Sequence, residues 1–340
     1  MNFQVTVHPG NHRFTAEAGE SVLDAALRQG LNLPHGCREG NCGSCRGQLL
    51  EGQLTYPNGI PPALEQAEHD AGFALFCQAR PESNLVIEVE GAPVAADTPI
   101  KQMPARVQRL EQLAHDVMAI VLQLPKGNPL AFRAGQYVHI LLPEGQRRSY
   151  SIANPPNPDN RIELHVRRLP HGRFSEQVFT QMQARDLLRI RGPLGSFFLR
   201  EDSDRPIILM GGGTGLAPLQ GILMQAIEQQ LGRPMHLFWG VRARRDLYRH
   251  TLLQEWAQAH ANLQYTPVLS EPRADEAWQG ATGFVHEAVL ATYPDLSAHQ
   301  VYMSGPPPMI NAAKPAFAAH GLADDQLFYD AFEAAADNTS

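Results

Sequence analysis

Cys37-Arg38-Glu39-Gly40-Asn41-Cys42-Gly43-Ser44-Cys45 is the stretch that decides the first part of the fold. Three of the four cysteines fall within these nine residues, spaced C-x4-C-x2-C, and Cys77 follows at a distance. This is the plant-type spacing for a [2Fe–2S] cluster, whose two irons each take two thiolates. Gly36, Gly40, Gly43 and Gly47 surround the cysteines. Residues without a side chain allow a tight loop and let backbone N–H groups approach the cluster sulfurs. A zinc site more often pairs C-x2-C with a second C-x2-C. A Rieske centre replaces two cysteines by histidines. His35 is nearby, but four cysteines already suffice, and it reads as a loop residue.

Outward from this loop, Val5-Thr6-Val7 and Arg13-Phe14-Thr15-Ala16 read as a strand pair. Ser21 caps a helix running to about Arg28, with Asp24 completing a capping-box pattern and Gly30 just past the end. Val86-Ile87-Glu88-Val89 closes the segment as a strand, and Gly91 to Pro104, with three prolines, reads as a linker. Residues 1–95 resemble a plant-type ferredoxin, on the strength of Cys37–Cys45 and of Phe76-Cys77-Gln78-Ala79. That resemblance implies a β-grasp (α+β) domain with Cys37, Cys42, Cys45 and Cys77 as the iron ligands.

The second segment, residues 105–203, holds short strands separated by turn residues. Examples are Met118–Leu122, Tyr137–Leu141 and Ile162–Val166, a pattern expected of a small antiparallel barrel interrupted by one helix near Ser175–Met182. Arg148-Ser149-Tyr150-Ser151 offers a cation for a phosphate, a ring to lie on another ring, and a hydroxyl donor. His165-Val166-Arg167 precedes Gly172-Arg173-Phe174-Ser175, which opens the helix and suits a pyrophosphate. The turn Gly192-Pro193-Leu194-Gly195-Ser196-Phe197 follows.

The third segment, residues 204–340, alternates apolar strands with helices, the pattern of an α/β domain with a parallel sheet. Ile207-Ile208-Leu209-Met210 runs into Gly211-Gly212-Gly213-Thr214-Gly215-Leu216-Ala217-Pro218, a glycine loop that opens a helix. There a pyrophosphate can approach backbone N–H groups, and Pro218 fits the first turn. Pro218 stands where the Rossmann fingerprint has its third glycine, and the lysine of a P-loop is missing. Trp239-Gly240-Val241-Arg242 and Ser304-Gly305-Pro306-Pro307-Pro308-Met309 end two further strands, where ligands of parallel sheets collect.

These motifs together resemble the ferredoxin–NADP reductase superfamily. The resemblance implies that Arg148, Tyr150 and Ser151 hold FAD, with His165, Val166, Arg167, Gly172, Arg173, Phe174 and Ser175 at its phosphates. It implies that Gly212, Gly213, Thr214, Gly215, Gly305 and Pro306 bind the nicotinamide nucleotide. Thr214 and Ser304 are expected close to the nicotinamide, although many relatives carry cysteine where Ser304 stands. Near the C-terminus, Phe332 best fits the aromatic residue that covers the flavin ring, with Tyr329 second, while Phe328 reads as core and the tail beyond Phe332 as disordered. NADPH-specific relatives place an arginine after a serine at the end of the third strand. The pair here is Ser270-Glu271, and a carboxylate repels a 2′-phosphate, so NADH is expected ahead of NADPH.

The domain order resembles the reductase components of oxygenases, of the benzoate dioxygenase reductase type, and also CDP-6-deoxy-glucoseen reductases of deoxysugar synthesis. It implies an acceptor protein that takes one electron at a time, either an oxygenase or a carrier component. A redox-responsive regulatory module is the alternative from another class. Composition agrees with a globular multidomain chain: 340 residues, 43% hydrophobic, 19% charged. The net charge of −7 argues against nucleic acid, and no apolar run has the length of a membrane span. The N-terminus lacks the basic and apolar regions of a signal peptide, so a cytoplasmic, reduced chain is expected.

Overall fold

The computed structural model describes residues 2–89 and 99–332. The chain forms two compact units, residues 1–100 together with Pro193–Ser196, and the remainder. Most of the expected linker and the tail from residue 333 lie outside the described residues.

The first unit is built on a five-stranded sheet in the order His12–Ala16, Phe3–His8, Leu85–Glu88, Arg46–Glu51, Phe73–Leu75. Phe3–His8 and Leu85–Glu88 run parallel, and the other pairs are antiparallel. Alternation in Val5-Thr6-Val7 turns both valines into the core. Helix Val22–Arg28 packs against the neighbouring strand His12–Ala16 and buries Val22, Leu23, Ala25, Ala26 and Leu27. Ser21 caps the helix, its Oγ accepting from the Asp24 N–H at 3.1 Å. Two further N–H groups of the first turn are satisfied at long range: Val22 donates to the Ala79 carbonyl and Leu23 to the Phe76 carbonyl. The helix start is thereby tied to the loop that carries Cys77.

The second unit contains two six-stranded sheets. The first is antiparallel, in the order Arg147–Ser151, Tyr137–Leu141, Leu187–Leu194, Lys101–Ala114, Val117–Gln123, Arg161–Arg167. An Ile152–Leu164 bridge joins its two ends and closes it into a barrel around Val138, Ile140, Ile120, Leu164, Val166 and Phe174. The linker ends earlier than its composition suggests: Lys101 to Pro104 already pair with Arg189 to Gly192. Two register irregularities bend that long strand around the barrel. The barrel helix is Arg173–Thr180, two residues earlier than expected.

The second sheet is parallel throughout, in the order Ala281–Thr282, Leu263–Leu269, Met235–Val241, Ile207–Gly212, Gln300–Gly305, Leu327–Ala331. Its strand order reverses between Ile207–Gly212 and Gln300–Gly305, and ligands of open α/β sheets bind in the crevice at such a switch point. The glycine loop follows the first of these strands and leads into helix Leu216–Glu228, with Pro218 in its first turn. Among the described residues no helix is long and apolar enough to cross a membrane.

Candidate functional sites

In the first unit, Cys42, Cys45 and Cys77 are buried and Cys37 is half-buried, and none of the four is in a disulfide. The backbone aims donors at the sulfurs: Cys37 N–H and Ser44 N–H approach Cys42 Sγ at 3.4 and 3.5 Å, and Glu39 N–H approaches Cys37 Sγ at 3.4 Å. Such donors favour thiolate over thiol. A Cβ on Gly36 would lie 3.2 Å from Ser44 Oγ and 3.3 Å from Cys42 Sγ, so a side chain there would crowd the ligand loop. The thiols associate two by two, Cys37 with Cys42 and Cys45 with Cys77. Within each pair the hydrogen-bonded partner and burial push one thiol (Cys37, Cys45) upward, because two adjacent thiolates repel unless a cation lies between them. Two pairs of cysteines, with amides directed at sulfur, fit a centre of two irons.

The loop is braced by residues the spacing alone does not single out. Arg38, at φ +66, is buried and ion-paired with Asp24 in the first turn of the helix. Gln78 donates to the Arg38 carbonyl at 2.8 Å. Gly40, at φ +78, faces Pro61 so closely that a Cβ would stand 2.7 Å from the proline's. His35 is buried and its pKa is lowered to about 4 by desolvation, so the ring is neutral. Its Nε2 accepts from the Gly195 N–H at 3.1 Å, leaving Nδ1–H to donate to the Leu33 carbonyl at 2.7 Å.

In the second unit, the glycine loop and the Ser304 strand end meet at the switch point. Gly211 pairs with Ser304, and Ser304 with Asp330 on the neighbouring strand. A Cβ on Gly215 would stand 2.0 Å from the Ser304 carbonyl oxygen, and one on Gly212 would stand 2.9 Å from Pro306. Gly213, at φ +55, gives its carbonyl to the Trp239 indole N–H at 2.9 Å. Thr214 is half-buried in the same turn. Gly305 accepts from the Phe332 N–H, which places the half-buried Phe332 beside Pro306, the cap of helix Pro307–Ala319. Tyr329 instead meets Lys314, and Phe328 stacks on Tyr302 in the core. Ser304 is fully buried, and its Oγ has no hydrogen-bond partner among the described residues. A buried hydroxyl without a partner is costly in a finished fold and is what a ligand-facing position leaves behind.

The barrel residues sort into two groups. Tyr150 and Ser151 lie on strand Arg147–Ser151, with the Tyr150 ring 5.5 Å from Phe174. Arg148 is half-buried on the same strand. Gly172 caps the Arg173–Thr180 helix without a side-chain bond, and exposed Arg173 sits at its start. Ser175 turns inward, its Oγ donating to the Gly172 carbonyl and accepting from the Leu169 N–H. Val166 proves to be part of the barrel core at 0% exposure, so only its backbone can meet a ligand. The His165 ring is engaged with Glu163 and Tyr248, and Arg167 pairs with Asp116. Strand alternation explains the difference, because residues 163, 165 and 167 face outward while Val166 faces in.

Asp330 carries no role in the motif pattern, yet it is the buried carboxylate of this site. Ser151 Oγ donates to its Oδ2 at 3.2 Å, joining the flavin-candidate strand to the strand beside Ser304. Burial pushes its pKa up to about 6, held back by the Ser151 bond. The folded state therefore binds this proton more tightly than the unfolded chain. Its contribution to stability is full below about pH 4 and is lost as pH rises to about 6, a swing of roughly 3 kcal/mol. Asp330→Asn is expected to gain stability over the wild type as pH rises from 5 to 6.5, with a constant difference above that. Chemical denaturation across this range checks it, and a pH-independent difference contradicts it.

Glu271 is exposed just after strand Leu263–Leu269, with its carboxylate 4.0 Å from Arg242. Arg244 donates to Glu276 and Arg245 lies 3.8 Å from Asp246.

Residues 5–82 match the 2Fe-2S iron-sulfur cluster binding domain, 104–199 the oxidoreductase FAD-binding domain, and 209–315 the oxidoreductase NAD-binding domain. The chain is 38% identical to the CDP-6-deoxy-L-threo-D-glycero-4-hexulose-3-dehydrase reductase of Yersinia pestis, over 98% of this chain and 99% of that protein. It is 35% identical to the phenol 2-monooxygenase reductase component DmpP of Pseudomonas sp. (strain CF600), over 99% and 96% respectively. The crystal structure of the Amycolatopsis cytochrome P450 reductase GcoB superposes with a TM-score of 0.82 at 35% identity, covering 97% of this chain and 98% of that one.

Proposed function

Since the chain belongs to the iron–sulfur flavoprotein reductases that join a 2Fe-2S domain, an FAD-binding domain and an NAD-binding domain, we propose that its acceptor is the oxygenase component of a multicomponent oxygenase. The chain is an oxidoreductase that passes electrons from a nicotinamide nucleotide through FAD to a [2Fe–2S] cluster. A bound flavin supplies the conversion between the two-electron chemistry of nicotinamide and the one-electron chemistry of the cluster. The residues then divide the work. Gly212, Gly213 and Gly215 admit the nucleotide to backbone N–H groups. Ser304, Thr214 and Phe332 orient the nicotinamide, and Arg148, Tyr150, Ser151 and the start of the Arg173–Thr180 helix hold the flavin. Cys37, Cys42, Cys45 and Cys77 carry the cluster.

The observation that supports an oxygenase is that relatives named as the reductase components of a phenol 2-monooxygenase, an aromatic O-demethylase and a terephthalate 1,2-dioxygenase match nearly the whole chain at 33–36% identity. A second reading is carried by the 38% identity to the CDP-hexulose dehydrase reductase. The purified chain and NADH, offered a phenol hydroxylase oxygenase component and a CDP-6-deoxy-hexulose dehydrase side by side, separate the two. Product from the first only supports the proposal, and product from the second only supports the alternative.

NADH is the proposed donor. Exposed Glu271 would meet a 2′-phosphate as a like charge, while it can accept from a ribose hydroxyl. The kcat/KM for NADH is expected to exceed that for NADPH, and Glu271→Arg to narrow the ratio about tenfold, the equivalent of ~1.4 kcal/mol. A wild-type preference for NADPH refutes the assignment.

A further inference from the structure

The strand Arg161–Arg167 has one face in the barrel core, Ile162, Leu164 and Val166, and one face directed at the nucleotide-binding part of the same unit, Glu163, His165 and Arg167. The outward face makes a polar network of fixed direction. Arg249 donates to Glu163 Oε1 at 2.9 Å, and His165 Nε2 lies 3.0 Å from the same oxygen. Burial works to raise the Glu163 pKa, but His165 and Arg249 outweigh it and hold the group at about 2, an acceptor only. Nε2 therefore carries the proton and donates. Burial lowers the His165 pKa, so the ring is neutral, and Nδ1 accepts from the Tyr248 hydroxyl at 3.1 Å. Tyr248 meets the Trp239 ring edge-on at 5.0 Å, and Trp239 donates to the Gly213 carbonyl at 2.9 Å. From the same strand, Arg167 lies against Gly213, its Nη1 only 2.8 Å from where a Cβ would stand.

We propose that Glu163, His165 and Tyr248 are positioning residues that hold the Gly213 loop in register with the flavin-bearing barrel, through Trp239 and without touching the nucleotide. The inference rests on the reading that the loop binds the nucleotide and the barrel binds FAD. Three successive links, His165 to Tyr248, Tyr248 to Trp239 and Trp239 to Gly213, join the barrel strand to the loop, and the carbonyl they reach belongs to a glycine, whose backbone is free to move unless packing holds it. Hydride transfer needs the reacting carbon and nitrogen held near 3–3.5 Å, so a small slackening costs rate before it costs affinity.

The test uses the as-purified holoprotein. Tyr248→Phe removes one hydroxyl and keeps the ring. Its Gly211–Leu219 peptide is expected to exchange amide hydrogens at least about threefold faster than wild type, with exchange around Cys77 unchanged. In anaerobic stopped-flow mixing with NADH, the limiting rate of flavin reduction should fall about three- to tenfold, with less than a twofold change in the NADH concentration at half-maximal rate. Glu163→Leu should behave likewise, and Glu163→Gln, which keeps an acceptor for Nε2–H, should recover most of the loss. Wild-type exchange and rate in Tyr248→Phe overturn the proposal, as does a rate loss that only tracks lost flavin. Failure of the wild type itself to reduce its flavin would instead overturn the underlying reading of function.

Discussion

Cys77→Ser is expected to abolish most electron delivery to a one-electron acceptor while leaving NADH-driven reduction of ferricyanide by the flavin intact. Serine is a harder, far less acidic ligand than cysteine, and iron–sulfur clusters are held by thiolates. The side chain is buried in a loop whose neighbours Phe76 and Ala79 accept N–H groups from the helix start, so the backbone should keep its course when sulfur becomes oxygen. The flavin-candidate residues belong to the other compact unit. Loss of the cluster absorption, cytochrome c reduction at least roughly tenfold slower, and an unchanged flavin spectrum are the expected set. Loss of flavin and of ferricyanide activity in a protein that remains folded would contradict this division of labour.

Gly215→Ala is expected to be the most damaging single methyl in the nucleotide-binding part. Gly215 has φ −58, so an L-residue fits its backbone, and the obstacle is steric alone. The new carbon would stand 2.0 Å from the Ser304 carbonyl oxygen and 2.4 Å from its carbon. Both are backbone atoms of a buried central strand, with no flexible side chain to swing away. The strand end must then part from the loop, at a cost of about 1–3 kcal/mol or more in stability. Ser304 and Gly305 move with it, and displacement approaching 1 Å at a hydride-transfer site costs on the order of a hundredfold in rate. Stopped-flow reduction of the flavin by NADH reads this directly, with flavin and cluster spectra as controls. A wild-type rate would show that the loop and strand end do not jointly seat the nicotinamide.

Features written in local spacing are legible in the sequence itself. The C-x4-C-x2-C loop, the Ser21 cap and the glycine run after an apolar strand each depend on residues a few positions apart, and each is found where the pattern places it. The far end of the linker is not legible in that way. Lys101 to Pro104 has mixed polarity and a proline, and its strand character comes from pairing with Arg189 to Gly192, far along the chain. The chemistry of Asp330 is hidden for the same reason, because its burial and its bond to Ser151 join positions 179 residues apart. The Glu163–His165–Arg167 face does leave a local signal, since Ile162-Glu163-Leu164-His165-Val166-Arg167 alternates strictly and so separates Val166 from its neighbours. A motif taken as a block conceals that alternation. Arg249 and Tyr248 cannot be paired with it from sequence, because only the fold brings them to that strand.

The central claim is that hydride enters at the flavin of one unit and leaves as single electrons through the cluster of the other. Anaerobic titration of the holoprotein with NADH, followed by optical absorption and by low-temperature electron paramagnetic resonance, tests it most directly. The account predicts bleaching of the flavin together with the rhombic spectrum of a reduced [2Fe–2S] centre, with total uptake of about three electrons per chain, two for the flavin and one for the cluster. A cluster that stays oxidised while the flavin is fully reduced by NADH would contradict it.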